Sequence, residues 1–265
     1  MIPSVLQKIT DSVVIRLNER KAHTSFAALA QLAKESRMPF AFAEVFSKTE
    51  TPILAEIKFK SPALGDLQSG NAKRAVQIAG LYLQGGASAI SVLTEQDYFH
   101  GHPDYLKKVR DAFPEAKLLM KDFVVDEYQI LEARVIGADA VLLIVSLLGQ
   151  TKTRELAKFA RANQLSTLVE VHDVAEFEFA LSLDCDLVGV NNRDLNTLSV
   201  TLQTSLELAP LITKGRVILS ESGINSRDDI TRLQNAGYGG FLIGGILMQS
   251  PDPVQTLMKL RGITA

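Results

Sequence analysis

The chain has 265 residues, 46% of them hydrophobic and 22% charged, and a net charge of −2. That composition is ordinary for a globular protein with a sizeable core, and the near-balance of charge excludes the strong field that draws basic proteins to nucleic acid or anionic membranes. The single cysteine, Cys185, excludes an internal disulfide; it reads as a small buried apolar residue in a reduced, cytoplasmic setting.

Residues 1 to about 50 read as helical. Leu6, Ile9, Val13 and Leu17 recur on one helical face, and a second apolar pattern runs through Phe26, Leu29 and Leu32. This stretch is expected to pack as an extension on the main body. Its opening, MIPSVLQKITDSVV, lacks the basic head, apolar core and cleavage site of a signal peptide, so none is expected.

From Pro52 onward short apolar runs alternate with amphipathic ones. The runs are PILAEIK, ASAISVLT, KLLMKDF, ADAVLLIVS, STLVEV, CDLVGVN, GRVILSE and GGFLIG. Their near-continuous apolar character is that of parallel strands covered on both faces. Helix boundaries fall between them: Asp126 opens a helix that Gly137 ends, Asp173 and Glu176 have capping-box spacing, and Asn225-Ser226 open a helix ending near Gly237. Eight strand–helix units predict an α/β fold, a (β/α)8 barrel over 51–265 with a helical N-terminal extension over 1–50, the whole of 1–265 forming one domain. FKSPALG follows the first strand where a dinucleotide-binding fold would carry GxGxxG. The longest apolar run, Ala138 to Gly149, is too short for a membrane-spanning helix.

The functional residues are expected at the C-terminal ends of the barrel strands. ILAEIKFKSP places Glu56 and Lys58 two residues apart, hence on one side of a strand, just before a Ser61-Pro62 turn. Lys121 ends the third strand, Glu170 the fifth, Asn191 and Arg193 the sixth, and Glu221 and Ser222 the seventh. Any one of these could be a structural ion pair or a solvated loop charge. Two lysines and three carboxylates sharing one mouth, however, would shift each other's pKa values as acid–base chemistry requires. Gly223 after strand seven, and Gly244 and Gly245 after strand eight, sit where barrels often bind phosphate through backbone N–H groups, although turns use glycines too. The four histidines are scattered. His172, at a strand end, reads as packing or capping, and no CxxC or HExxH motif marks a metal site. These residues alone predict an enzyme acting on a small phosphorylated molecule with lysine and glutamate, without a metal.

AEIKFKSPALG, SVLTEQDYFHGHPDYLKKVR, LLMKDFVVDEYQI, ADAVLLIVSLL, LVEVHD, GVNNRDLNTL, LSESGI and GFLIGGILM resemble, in order, the motifs of the indole-3-glycerol phosphate synthase family. The resemblance spans nearly the whole chain from residue 50, and the helical extension also suits it. It implies a metal-free, cofactor-free carboxy-lyase of tryptophan biosynthesis that closes, decarboxylates and dehydrates 1-(2-carboxyphenylamino)-1-deoxyribulose 5-phosphate. By that resemblance Lys121 is the general acid of ring closure and Glu170 the base. Lys58 binds substrate and supplies the acid of dehydration, with Glu56 tuning it or sharing the base role. Asn191 and Arg193 orient the anthranilate end and the hydroxyls, Glu221 and Ser222 hold sugar hydroxyls, and Ser61, Gly223, Gly244 and Gly245 lie near the phosphate. Pro62, Phe123 and Leu142 wall the aromatic ring. Gly245 departs from the family, which usually carries a side chain there, and Phe59 and Ala63 depart in the first motif. A monomer or weak homodimer is expected, with no nucleic-acid or membrane partner. The residues leave two rivals open, a Schiff-base aldolase and a non-catalytic barrel binding a phosphorylated ligand.

Overall fold

The structure, a computed structural model, describes residues 4–213 and 215–263. Eight parallel strands close into a barrel: β1 (Ile53–Ile57), β2 (Ala89–Leu93), β3 (Leu118–Lys121), β4 (Ala140–Ile144), β5 (Ser166–Val171), β6 (Leu187–Asn191), β7 (Val217–Glu221) and β8 (Gly240–Ile243). Neighbours in sequence are neighbours in space, and β8 pairs back onto β1. The helices are α1 (Ser4–His23), α2 (Phe26–Glu35), α3 (Ala72–Gln84), α4 (Pro103–Ala112), α5 (Glu127–Ile136), α6 (Val145–Ala162), α7 (Val174–Ser182), α8 (Gln203–Leu208), α9 (Arg227–Asn235), α10 (Gly245–Gln249) and α11 (Pro253–Leu260). Every predicted strand is present. Val145 and Ser146, the tail of the fourth apolar run, already belong to α6, which turns at the left-handed Gly149. No helix among the described residues is long and apolar enough to cross a membrane.

The local signals act as expected. Asp126 accepts the Tyr128 N–H at the start of α5, and Gly137 ends that helix at φ 89°. Ser226 and Asp229 form a reciprocal capping box on α9. Asp173 caps α7 by accepting the Glu176 N–H at 2.8 Å, but the Glu176 carboxylate reaches past the cap to the His172 N–H, also at 2.8 Å.

Period-two alternation builds two cores from each strand. Ile53, Ala55 and Ile57 face the surrounding helices; Leu54, Leu119, Leu142, Leu168, Leu187, Leu219 and Leu242 fill the barrel. Each buried leucine contributes about 1.5–3 kcal/mol by leaving water. The N-terminal extension runs from the mouth of this barrel to its floor. Near the mouth Lys21 pairs with Asp126, which caps α5, at 2.7 Å. Near the floor Arg37 pairs with Asp139, just before β4, at 2.8 Å. Phe42 and Phe46 then join the interior core, and a Cβ on Gly240, at the entry of β8, would strike the Phe46 ring at 2.6 Å.

The extension also corrects one expectation. Leu6, Ile9, Val13, Leu17 and Leu29 are buried as predicted, but Phe26 and Leu32 are 45% and 46% exposed. The inward face of α2 is completed instead by Ala33, whose small side chain lets the helix approach α5 closely enough for Arg134 to donate to the Ala33 carbonyl.

Candidate active site

The alternation that fills the barrel floor with leucine puts charge at its mouth. Two residues beyond Leu54, Leu119, Leu168 and Leu219 on the same inward columns come Glu56, Lys121, Glu170 and Glu221. Lys121 lies between two carboxylates, 3.4 Å from Glu170 Oε2 and 3.4 Å from Glu221 Oε2. Lys58, one residue past β1, makes a 2.6 Å ion pair with Glu56. These groups line a cavity of about 380 Å³ together with Phe123, Leu142, Asn191, Arg193, Ser222, Gly223, Gly244 and Gly245.

The buried charges polarise one another. Burial alone would strip the proton from Lys121, but the charges of Glu221, Glu170 and Glu56 outweigh it and hold the ammonium well above the ordinary lysine value. Burial would likewise protonate Glu170, yet Lys121, His172 and Asn191 together keep it below the usual carboxylate range. Glu221 has only a share of Lys121 against burial and the charges of Glu170 and Glu56, and its Oε1 has no partner, so its pKa rises to about 7. Glu56 stays low: burial opposes ionisation, and Lys58 and then Lys121 reverse it. The site therefore holds a firm ammonium, two firm carboxylates and one carboxyl poised near neutrality.

Glycine makes room for this cluster. A Cβ on Gly244 would lie 2.5 Å from Glu56 Oε1, and one on Gly189 would overlap Glu221 Oε1. At the end of β7 both Ser222 (φ 67°) and Gly223 (φ 81°) are left-handed, a conformation that costs a serine of order 1 kcal/mol or more and recurs at functional sites. Asn192 staples that turn, its Nδ2 donating to Ser220 Oγ and to the carbonyls of Glu221 and Ser222. Asn191, the preceding residue, therefore faces the cavity while Asn192 faces the wall.

A family profile described as indole-3-glycerol phosphate synthase matches residues 6–260. The chain belongs to that family. A protein of Carboxydothermus hydrogenoformans named indole-3-glycerol phosphate synthase is 42% identical, the match covering 96% of this chain and 98% of that one. Among solved structures, 3-hexulose-6-phosphate synthase from Salmonella typhimurium superposes with a TM-score of 0.65 at 13% identity, covering 80% of this chain and 97% of that one. Thiamine phosphate pyrophosphorylase from Pyrococcus furiosus superposes with a TM-score of 0.58 at 17% identity, covering 80% and 94%. At such identities these two share the barrel alone.

Within the family frame, thirteen of the fifteen residues singled out in the sequence line the one cavity: Glu56, Lys58, Lys121, Phe123, Leu142, Glu170, Asn191, Arg193, Glu221, Ser222, Gly223, Gly244 and Gly245. Ser61 and Pro62 do not. They line a smaller cavity of about 90 Å³ under Val5, Leu6 and Ile9 of α1, which shares Lys58, Phe123 and Arg193 with the first. The Ser61 hydroxyl there accepts the Leu64 N–H at 3.1 Å, closing the turn of a short hairpin (Lys60–Ser61 with Gly65–Asp66). Arg193 is partly committed as well, donating to the Leu198 carbonyl at 2.8 Å. Residue-by-residue reading missed Phe99, which packs 5.8 Å from Phe123 and lines both cavities, although it lies in the DYFHGHP motif that carries the resemblance. It also missed the part played by His172, whose Nε2 sits 3.4 Å from Glu170 Oε1.

Proposed function

We propose that this protein converts 1-(2-carboxyphenylamino)-1-deoxyribulose 5-phosphate to indole-3-glycerol phosphate, carbon dioxide and water, as a carboxy-lyase of tryptophan biosynthesis. The observation that carries the reading is the buried Lys121, clasped by Glu170 and Glu221 at the mouth of a barrel whose whole length matches the synthase family. Ring closure joins the aromatic carbon bearing the carboxylate to the sugar ketone, whose oxygen gains negative charge and takes a proton from Lys121. Loss of carbon dioxide restores the aromatic ring. The new hydroxyl then leaves as water with a proton from Lys58, and Glu170 accepts the proton that the ring system releases, Glu56 tuning Lys58 or sharing the base role.

The electrostatics support a coupling between the two halves of this sequence. Beside a charged Lys121, Glu170 is a weak base. Once Lys121 has given up its proton, that support vanishes and burial raises the proton affinity of Glu170 when a base is needed. Arg193 and Asn191 orient the anthranilate end, a guanidinium suiting a carboxylate. Glu221 and Ser222 hold the sugar hydroxyls, and Pro62, Phe123 and Leu142 wall the ring. Gly223, Gly244 and Gly245 receive the phosphate, and Ser61, outside their cavity, closes the turn of the neighbouring hairpin instead of contacting it. The same electrostatics weigh against a Schiff-base lysine, which must be neutral to attack a carbonyl, whereas Lys121 is held charged by three carboxylates. We read the protein as cytoplasmic, monomeric or weakly dimeric, without nucleic-acid or membrane partners, in keeping with its net charge of −2.

The test is to mix purified protein with the carboxyphenylamino-deoxyribulose phosphate, with and without a chelator, and follow indole fluorescence. Emission that rises equally in both is the expected result. A folded protein that gives no emission, or a borohydride-trapped substrate adduct on Lys58 or Lys121, would overturn the reading.

A further inference from the structure

Behind Glu170, outside the wall of the substrate cavity, lies a histidine that the reaction scheme does not use. His172 follows β5, and its ring sits between two carboxylates: Nε2 is 3.4 Å from Glu170 Oε1, and Nδ1 is 3.5 Å from Glu176 Oε2 on the first turn of α7. Both ring nitrogens are buried and make no hydrogen bond, so the two carboxylates at ion-pair distance are the groups that face them. Glu176 is itself held in place, because the same carboxylate oxygen accepts the His172 N–H at 2.8 Å.

This geometry dictates the charge on the ring. An ionised carboxylate only accepts hydrogen bonds, and a neutral imidazole has one N–H and one lone pair. Between two carboxylates a neutral ring would turn its lone pair against one of them; an imidazolium presents N–H to both. Burial alone would lower the histidine pKa, but Glu170 and then Glu176 reverse this and push it up to about 10. Asp194, in the loop after β6, adds a further negative charge within range of the ring. The two oxygens of Glu170 are thereby divided, Oε1 facing His172 and Oε2 facing Lys121.

We propose that His172 is a positioning residue for the base of the reaction: as an imidazolium clamped between Glu176 and Glu170, it fixes the plane of the Glu170 carboxylate and keeps it ionised when Lys121 gives up its proton. The inference rests on Glu170 being the base. His172 touches no substrate and acts through Glu170. With both cations in place each carboxylate oxygen faces a positive charge; with Lys121 neutral, His172 is the remaining cation beside Glu170, helped by the Asn191 amide, and holds it in line and ionised.

The test compares wild type with Glu170→Gln, His172→Gln and Glu176→Gln, measuring kcat and KM from pH 5 to 9. Glu170→Gln collapses kcat if the base reading holds. His172→Gln then lowers kcat roughly 10- to 100-fold, the scale expected for a misaligned catalytic group, with KM changed less than about twofold. It also moves the acidic limb of the kcat profile toward neutrality, because a buried Glu170 without its cation takes up a proton at higher pH. Glu176→Gln moves the limb the same way by less. A Glu170→Gln enzyme with near-normal turnover overturns the base reading and this inference together. A collapsed Glu170→Gln alongside a His172→Gln enzyme with wild-type kcat and pH profile overturns the inference alone. Nitrogen-15 titration of the histidine rings in the wild-type enzyme decides the matter if His172→Gln fails to fold: the inference expects a His172 ring still cationic at pH 8, and a neutral ring there overturns it.

Discussion

The floor and the mouth of the barrel are built on the same strands, two residues apart, and are equally sealed from water: Leu168 and Leu219 are 0% exposed, Glu170 and Glu221 2% and 1%. At the floor, leucines packed against Phe42 and Phe46 bury apolar area with no polar group to satisfy. At the mouth, three carboxylates and two lysines have lost most of their water and are compensated mainly by one another, an arrangement that often contributes less stability than apolar packing of the same volume. One half of the interior is thus optimised for stability, while the other gives some of it up to hold charges in unusual protonation states. The two halves can be told apart by perturbing them one residue pair at a time.

The largest effect is expected on turnover at the mouth. Glu170→Gln keeps the shape of the side chain and removes its ability to accept a proton, so kcat should fall by roughly 10²- to 10⁴-fold, and Lys121→Ala should do the same. Thermal unfolding of Glu170→Gln should drop below wild type as well, because a neutral amide takes a carboxylate from the buried Lys121 and His172 cations, but the folded fraction keeps the barrel and its loss of turnover is read per folded enzyme. Near-normal turnover in either variant removes that residue from the chemistry. Next in size is the matching change on the floor, Leu168→Ala on the same column of β5. It should cost about 2–5 kcal/mol in denaturant unfolding, the usual range for a buried leucine, while leaving kcat of the folded enzyme within a few-fold. A Leu168→Ala enzyme as inactive as Glu170→Gln would dissolve the distinction between the halves.

A smaller, pH-dependent effect comes from Glu221. Its folded pKa of about 7 lies above the ordinary carboxylate value. Protonation therefore favours the folded state, and that contribution is lost as pH rises through 7. Glutamine cannot ionise and escapes the loss. Glu221→Gln should unfold at a higher temperature than wild type at pH 8 and at about the same temperature at pH 5. An equal difference at both pH values would place the proton elsewhere in the cluster.

Much of this was legible in the sequence for a physical reason. An apolar column that ends in a charge can be read from one strand, and position on a parallel strand fixes which end of the barrel the charge occupies. The eight strands and the polar residues at their ends follow from that, whereas Phe123 and Leu142 came from the resemblance to the synthase family and not from the pattern of the strands. What depends on contacts between distant segments was not legible. The small Ala33 replaces the larger Phe26 and Leu32 on the buried face of α2 because α5 comes so close, which no periodicity reveals. Gly189 reads as a strand residue until Glu221 is seen filling the space of its missing side chain. His172 reads as a packed or capping histidine until Glu176, four residues on, is seen to carry its carboxylate back past the helix cap to the other side of the ring.

The smallest expected effect tests the proposed phosphate corner, where the sequence carries glycines in place of side chains. Gly245 is the first residue of α10 and lines the substrate cavity beside Gly223 and Gly244. A Cβ there would meet only Leu64 Cδ1, at 3.7 Å, an ordinary contact, so a side chain fits without displacing anything. Gly245→Ser would supply a hydroxyl at the place where the phosphate is proposed to sit. One added neutral hydrogen bond contributes about 0.5–1.5 kcal/mol, so KM should fall roughly two- to tenfold with kcat nearly unchanged. Serine is also a better helix residue than glycine, so thermal stability should rise slightly whether or not phosphate binds there. The two effects separate cleanly: a higher unfolding temperature with an unchanged KM would show that α10 tolerates the side chain but that the phosphate sits beyond its reach. A lower KM would place the phosphate against the start of α10.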